Sequence, residues 1–212
     1  KFYTARENKY FRLNGELIRS KSSNFEVEMV NLFRNWYFKK YFKNINNIYE
    51  FGAGTGHNMV ELSKIFPDKN LFASDFVPTS VNLLKLVSKR KKMKMKSFQF
   101  DMAKPNKKLK IEKDSAIYTS GALEQLSGKI YDFINFTLSK KPKIVIHVEP
   151  APQFYDTNKL VDFTADFFQR KRGYTDNLLD YLMILEKKNK IKIIKKMKSP
   201  FGSLMIEGYN FI

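Results

Sequence analysis

The sequence predicts an α/β fold, with a mostly parallel sheet and helices on both of its faces. Short strand-like runs alternate with helical patterns through much of the 212 residues, which is typical of βαβ units. A glycine-rich turn follows the first of these strands, and acidic residues stand where four strands end. The length and a hydrophobic fraction of 43% suit one domain with a sizeable core.

The elements follow one another in a regular order. Ser22 to Asn24 can cap a first helix that reaches about residue 42. Strands are then predicted at 45–51, 70–75, 96–101, 115–120 and 143–149. Further helices are predicted at 56–65, 79–92, 127–138 and in two pieces within 153–188. Two last strand-like runs, 190–198 and 204–212, predict a closing hairpin.

The composition narrows the classes of function. A formal net charge of +18 ordinarily favours nucleic acid or an anionic surface as a partner. Only 7 of the 39 basic residues are Arg, however, and Arg is the side chain that reads nucleic acids bidentately. Nucleic acid is therefore an alternative partner and not the favoured one. The dense basic runs 89–96 and 104–113 fit either solvated surface or a phosphate-bearing partner.

The sequence provides little support for a metal-binding, disulfide-bonded or membrane-spanning protein. The chain has no Cys and two His, so we expect no disulfide and no metal site. No apolar run is long enough to cross a bilayer and no secretory signal is visible, so we expect a cytoplasmic protein. The sequence opens at Lys1 instead of Met, and we expect it to omit some N-terminal residues.

Residues 48–57 read I-Y-E-F-G-A-G-T-G-H and carry the clearest functional signal. Glycine lets a backbone bend sharply and approach a ligand, and the amides of a helix N-terminus favour negative groups. The dinucleotide fingerprint is G-x-G-x-x-G, whereas this turn has G-x-G-x-G and lacks the Gly-Lys-Ser/Thr of a P-loop. A nucleoside cofactor other than NAD or FAD is indicated; a turn without a ligand is the alternative.

The string E-F-G-A-G-T-G resembles motif I of the class I S-adenosylmethionine (SAM)-dependent methyltransferases, and the element order from residue 22 to 212 is similar to theirs. The resemblance implies a Rossmann-like sheet of seven strands in the order 3-2-1-4-5-7-6, the last strand antiparallel. It implies SAM as the cofactor. The methionine end of SAM would be held by Glu50 and by the backbone of Gly52 and Gly54, with Ala53 and Gly56 as further cofactor-binding residues.

Ligands of open α/β sheets bind beyond the carboxyl ends of the strands. Asp75 follows a strand 23 residues after Gly52 and suits the ribose hydroxyls, as the family's motif II acid does; a helix cap before Pro78 is the alternative. Asp101 resembles the acid that binds the adenine amino group, or is a plain loop acid. Further cofactor contacts are predicted for Phe76 and Met102, on the two faces of adenine, and for Ser120.

A hydroxyl acceptor of the methyl group needs a general base. His147 is the first choice, because strand alternation places it on one face with Glu149, and a nearby carboxylate raises the basicity of imidazole. A buried His bonded to backbone is the alternative. Glu124 is the second choice, or else a solvated helix acid. His57 would contact the cofactor carboxylate or lie on the helix surface.

The acceptor itself is predicted from two features. The amino-methyltransferase signature D/N-P-P-Y/F is absent from residues 115–126, so the chain looks like the small-molecule branch of the family. Arg170 and Arg172, with Tyr174, suggest a phosphate or carboxylate clamp; a charged helix end is the alternative. We therefore expect an O-methyltransferase acting on a small, anionic, phosphorylated or nucleotide-linked saccharide, as in polysaccharide biosynthesis. An RNA methyltransferase and a catalytically silent SAM-fold subunit are the alternatives.

No repeat and no long linker divides the chain, so residues 1–212 are predicted to form one methyltransferase domain. Residues 45–212 are its core. Residues 1–42 are its N-terminal helix preceded by a segment that, as in other members of the family, is expected to form a lid over the cofactor with Arg12 and Arg19.

Overall fold

A computed structural model describes residues 10–126, 128–174, 177–203 and 210–212. Nine strands are formed by these residues: β1 Tyr10–Leu13, β2 Glu16–Arg19, β3 Asn47–Phe51, β4 Asn70–Asp75, β5 Met95–Gln99, β6 Ser115–Ser120, β7 Ile144–Glu149, β8 Phe201–Ser203 and β9 Asn210–Phe211. Six α-helices accompany them: α1 Phe25–Tyr41, α2 His57–Ile65, α3 Pro78–Arg90, α4 Ile130–Lys140, α5 Leu160–Lys171 and α6 Leu178–Lys187.

The main sheet has six strands in the order β5-β4-β3-β6-β7-β9. Its first five strands are parallel, and β9 is antiparallel to β7. Successive side chains of a strand point to opposite faces, so β3 serves two cores. Tyr49 and Phe51 pack with α4 and α6, whereas Ile48 packs with α1 and α2. The predicted fold class is confirmed, with six described strands in place of seven.

Of the predicted closing hairpin, the described residues show one antiparallel pairing between the two runs and no ladder. The run 190–198 forms no ladder there, and joins the sheet through one isolated bridge between Met197 and Phe211. Contacts with helices hold it instead: the Ile193 amide donates to the Glu186 carboxylate of α6 at 2.6 Å. Of the second run, 204–212, residues 204–209 lie outside the described residues, and 210–211 form β9.

A second, three-stranded sheet has the order β2-β1-β8 and was not predicted. The turn at Asn14–Gly15 has positive φ at both residues, which suits a tight hairpin between β1 and β2. Phe11 packs on Phe25 of α1 at 5.0 Å between ring centroids. Arg12 is buried and donates to the Val161 carbonyl and to Thr164 Oγ1 of α5. Arg12 therefore fastens the hairpin to α5, while Arg19 is exposed.

None of the described helices is both long and apolar enough to cross a membrane.

Candidate cofactor and acceptor site

The turn between β3 and α2 is shaped by three glycines with positive φ, and only one of them faces open space. A Cβ at Gly52 would lie 2.3 Å from the Cβ of Ala122, and one at Gly56 would lie 2.5 Å from Leu84 Cδ2. A Cβ at Gly54 would meet no described heavy atom within 4 Å. Packing therefore requires Gly52 and Gly56, while Gly54 presents bare backbone to the crevice.

Asp75 joins this turn to the start of α3. Its Oδ2 accepts a hydrogen bond from the Gly54 amide at 2.8 Å, and its Oδ1 accepts one from the Val77 amide at 2.9 Å. Asp75 does not cap α3, contrary to the alternative interpretation: Val77 is at the N-cap position, and no side-chain capping bond is formed there among the described residues. Each carboxylate oxygen has a further lone pair, so these two backbone bonds leave Asp75 with acceptor capacity for a ligand.

The remaining predicted nucleoside contacts lie around the same turn. Phe76, directly after Asp75, is 62% exposed. Met102 is buried, and its methyl carbon lies 3.3 Å from the position of a Cβ at Gly52. Asp101 accepts a hydrogen bond from the Ala103 amide at 2.8 Å. Ala53 is buried, and its amide donates to the Ser74 carbonyl, which ties the turn to β4.

Glu50 is buried at the end of β3, on the side of the sheet that α1 and α2 cover. Its Oε1 accepts a 2.7 Å hydrogen bond from the Asn58 amide group. Its Oε2 has no hydrogen-bond partner among the described residues. Burial raises the pKa of Glu50 to about 8, against the lowering effects of the Asn58 bond and of the Arg34 charge.

Arg34 of α1 is a site residue that sequence reasoning missed. It is buried, and its guanidinium donates to Asn58 Oδ1 at 3.3 Å and to Asn31 Oδ1 at 2.5 Å. Its Nε has no partner among the described atoms. Asn58 thus lies between two buried side chains, the Arg34 guanidinium and the Glu50 carboxyl group, and each has one atom without a hydrogen-bond partner among the described residues. Arg34 follows Val30 and precedes Phe38 at helical spacing, and an arginine on that apolar stripe was the available signal.

His57 opens α2 beside this cluster. The His57 side chain is exposed, and partial desolvation together with the positive charge of Arg34 lowers its pKa.

Glu149 organises the turn that follows β6. Both of its carboxylate oxygens accept from the Ala122 amide at 3.1 Å, and burial raises the pKa of Glu149 to about 8. This bond holds Ala122 against Gly52, so the end of β7 supports the glycine turn through the end of β6. Ser120 ends β6, and Glu124 is buried in the short 3₁₀ turn Leu123–Leu126 that follows.

His147 lies in a different environment from Glu149, although the two share a strand. Its Nδ1 is 2.8 Å from Thr119 Oγ1, and its backbone N–H and C=O both bond to Ile212. Burial lowers the pKa of His147 to about 4, so the expected rise in its basicity is wrong. The side chain lines a cavity of about 380 Å³ along the outer edge of β7, together with Tyr41 and Leu182.

The predicted anion clamp lies at the end of α5. Arg170 pairs with Asp166 at 2.8 Å, one helical turn earlier. The Arg172 guanidinium lies 5.3 Å from the centre of the Phe168 ring and 5.9 Å from that of Tyr174. Stacked in this way, Arg172 keeps its nitrogen edges available to an anion.

The residues that the structure describes contain no cluster of three His, Asp or Glu side chains arranged to hold a metal ion.

Comparisons with known proteins agree with the architecture. No family model matches the chain, and no curated protein matches its sequence. Among solved structures, the methyltransferase domain of a bacterial CtHen1 superposes with a TM-score of 0.62 at 14% identity, over 87% of this chain and 96% of that one.

Two other solved structures are similar to the chain. The YcgJ protein of Bacillus subtilis gives a TM-score of 0.54 at 13% identity, over 81% of this chain and 72% of that one. The plantazolicin methyltransferase BpumL, solved in complex with S-adenosylhomocysteine (SAH), gives 0.52 at 12% identity, over 84% and 71%. Similarity of this kind, over most of each chain, identifies the architecture: this protein has the fold of the class I SAM-dependent methyltransferases.

Proposed function

We propose that this protein is a SAM-dependent methyltransferase whose cofactor binds at the carboxyl ends of β3, β4 and β6. One observation carries the proposal: Gly54 presents open backbone to the crevice while Asp75 fixes its amide at 2.8 Å. A turn held open in this way suits a nucleoside next to a carboxylate. The similarity to BpumL, which was solved with SAH, supports the same ligand class.

The nucleoside half is assigned to residues around the glycine turn. Asp75 retains lone pairs for the ribose hydroxyls, since its two backbone bonds use one on each oxygen. Asp101 and the Met102 amide are assigned to the adenine edge. The exposed ring of Phe76 is assigned to one adenine face.

The amino-acid half is assigned to the pair Glu50 and Arg34. A buried polar atom without a hydrogen-bond partner costs about 1–3 kcal/mol, and more where the group is charged. SAM carries an ammonium and a carboxylate on one carbon, and that zwitterion matches the unsatisfied atoms Glu50 Oε2 and Arg34 Nε. Asn58 is hydrogen-bonded to both side chains and lies between them, so Glu50 and Arg34 would bind the two charged groups of SAM separately.

In this reaction the protein would align the acceptor with the methyl group and remove the proton of the acceptor hydroxyl. When bound, SAM supplies a methyl group on a sulfonium leaving group, so the chain need not provide a nucleophile. The chain's residues would hold the acceptor hydroxyl in line with the methyl–sulfur bond that breaks as the oxygen–methyl bond forms, and a carboxylate would take up the hydroxyl proton. Holding the reactants in that line accounts for much of the rate.

We assign the general base to Glu124 in preference to His147. The turn that carries Glu124 packs on the glycine turn through Ala122 and Gly52. His147 instead is bonded to Thr119 and lines the apolar cavity outside β7. Glu149 is a positioning residue in this scheme, because its carboxyl group holds the Ala122 amide.

The acceptor proposed is a small, cytoplasmic, anionic molecule, such as a phosphorylated or nucleotide-linked saccharide of polysaccharide biosynthesis, methylated on a hydroxyl. Arg170, Arg172 and Tyr174 would bind its anionic group. The segment before α1 would help to enclose it as a lid. The net charge of +18 supports RNA as a second candidate acceptor.

Calorimetric titration with SAH, followed by transfer of labelled methyl from SAM to pooled nucleotide sugars or to RNA, tests the proposal. We expect micromolar SAH binding and label in the nucleotide-sugar pool. No SAH binding at millimolar concentration would refute the cofactor assignment. Label in RNA, with steep salt dependence, would select the second acceptor. Binding without transfer to any pool would indicate a catalytically silent subunit.

A further inference from the structure

Helix α5 exposes a row of large apolar side chains and buries two polar ones. Leu160, Phe163 and Phe167 are 76%, 50% and 57% exposed, and their spacing of three and four residues places them in one row. The Phe163 and Phe167 rings stack 6.4 Å apart. The opposite face buries Asp162 and Gln169. A surface helix normally has the reverse arrangement, so the outer row indicates a partner.

The apolar row continues onto the hairpin β1–β2. Leu17 is 49% exposed and pairs across the ladder with Arg12, so the two side chains project from the same face of the hairpin. Arg12 reaches Val161 and Thr164 in the first turns of α5. Leu17 therefore stands beside the start of α5. We call Leu17, Leu160, Phe163 and Phe167 the outer apolar row.

The charges around the outer apolar row are mainly positive. Lys159 precedes α5, and Lys171 ends it with its Nζ 5.9 Å from the centre of the Phe167 ring. Both acids of α5 are already paired: Asp162 with Lys198 at 2.5 Å, and Asp166 with Arg170 at 2.8 Å. Exposed acids nearby are Asp156, 3.9 Å from Lys159, and Glu16 of the hairpin.

We propose that the outer apolar row docks on an anionic membrane surface. Phe163 and Phe167 would enter the boundary between headgroups and acyl chains, and Lys159 and Lys171 would meet lipid phosphates. Apolar side chains surrounded by basic residues bind such surfaces in two ways. They bury apolar area, and the basic residues are attracted to the anionic lipids. This membrane contact would form whether or not the protein binds SAM.

Two other occupants fit the row less well. A second copy of the chain, related by a two-fold axis, would bring the same basic residues opposite one another. Single-stranded nucleic acid would use stacking on Phe163 and Phe167, but Leu17 and Leu160 offer its bases no π-face. An anionic lipid surface satisfies the aliphatic, aromatic and basic side chains together.

Co-sedimentation with vesicles tests the proposal. The wild type should bind vesicles that contain phosphatidylglycerol and bind pure phosphatidylcholine weakly. The double variant Phe163→Ser/Phe167→Ser should bind roughly 100-fold more weakly, about tenfold for each lost aromatic side chain. Lys159→Gln/Lys171→Gln should reduce binding and its salt dependence.

The control variant is Leu32→Ser/Ile184→Ser, which removes apolar side chains that are 67% and 46% exposed on α1 and α6. It should bind vesicles as the wild type does. All variants should keep the wild-type circular dichroism spectrum, because the substituted side chains are exposed. Equal losses in the two Ser variants, or no vesicle binding by the wild type, would overturn the proposal. So would a dimer, or a complex with oligouridylate, that only Phe163→Ser/Phe167→Ser abolishes.

Discussion

A Cβ at Gly52 would lie 2.3 Å from the Cβ of Ala122, so the turns that end β3 and β6 meet without room for a side chain. Two residues later, Gly54 has the same left-handed backbone but faces open space. The two glycines therefore have separable roles: the first closes the packing between neighbouring strand ends, and the second leaves the crevice open.

Gly52→Ala should destabilise the fold. The substitution costs about 1–2 kcal/mol for a positive φ and a further 1–3 kcal/mol for the overlap with Ala122. Urea unfolding should show a loss of about 2–5 kcal/mol in the free energy of unfolding. Gly173→Ala is the matched control, because Gly173 also has positive φ but an open surrounding. Equal losses in both variants would show that the contact with Ala122 is unimportant.

Gly54→Val should fold but lose SAH binding, because its side chain would occupy the space assigned to the cofactor. Backbone strain at a positive φ is common to Gly54→Val and to Gly173→Val, so the latter controls for it. We expect calorimetry to show at least a 100-fold loss for the first variant and none for the second. An unchanged titration of Gly54→Val would place the cofactor elsewhere.

Asp75→Asn should weaken SAH binding by about tenfold, since an amide offers one acceptor oxygen where the carboxylate offers two. It should also lower the melting temperature, because Gly54 and Val77 both donate to Asp75. An SAH analogue without ribose hydroxyls separates the two effects: it should bind wild type and variant alike. The exposed Asp68 supplies the control, Asp68→Asn. An equal loss for both ligands would show that Asp75 acts only through its bonds to the Gly54 and Val77 amides, and not on the ribose.

Arg34→Met should remove discrimination for the cofactor carboxylate. The wild type should bind SAH roughly 10- to 100-fold more tightly than its decarboxylated analogue, a charged hydrogen bond being worth about 1.5–3 kcal/mol. In Arg34→Met the two ligands should bind with similar affinity. The variant should fold, because an apolar side chain of similar length replaces a buried, incompletely satisfied ion. A preserved preference for SAH would contradict the assignment of Arg34.

The central strands could be predicted to within a few residues, because each is a buried apolar run whose end is clearly marked in the sequence. Ile48 to Phe51 and Ala116 to Thr119 are buried on both faces, which only a covered parallel sheet requires. The run 190–198 has the alternation of a strand, yet it forms no ladder. Alternation of apolar and polar residues predicts which side chains share a face of an extended segment. It does not predict whether a neighbouring strand lies close enough to pair with that segment.

The site was predictable where its chemistry is local. The turn at Gly54 and the acid Asp75 follow from the end of a strand, and the structure joins them by a hydrogen bond. Ala122 reaches the site only through tertiary contacts, so no spacing in the sequence marks it. For Arg34 the only signal was its place on the apolar stripe of α1, which does not show what it contacts. His147 alternates with Glu149 as predicted, but β9 covers it, and burial instead of the carboxylate sets its basicity.

Stability should fall as pH rises from neutral to mildly alkaline. Glu50 and Glu149 have native pKa values of about 8 against 4.5 in the reference state, so between these values the native protein binds more protons than the unfolded chain. Each such proton lowers the free energy of unfolding by about 1.4 kcal/mol per pH unit. His147, with a native pKa of about 4 against 6.5, has the opposite effect below pH 6.5.

The fall should therefore be steepest between pH 6.5 and 8, where both carboxyl groups act and His147 no longer opposes them. Urea unfolding across this window measures it. Glu149→Gln should about halve the slope, because the amide resembles the protonated acid and does not titrate, whereas the exposed Glu16→Gln should leave it unchanged. Saturating SAH should also reduce the slope, since an ammonium at Glu50 favours its ionised form. A flat profile in the wild type would show that neither carboxyl group holds its proton.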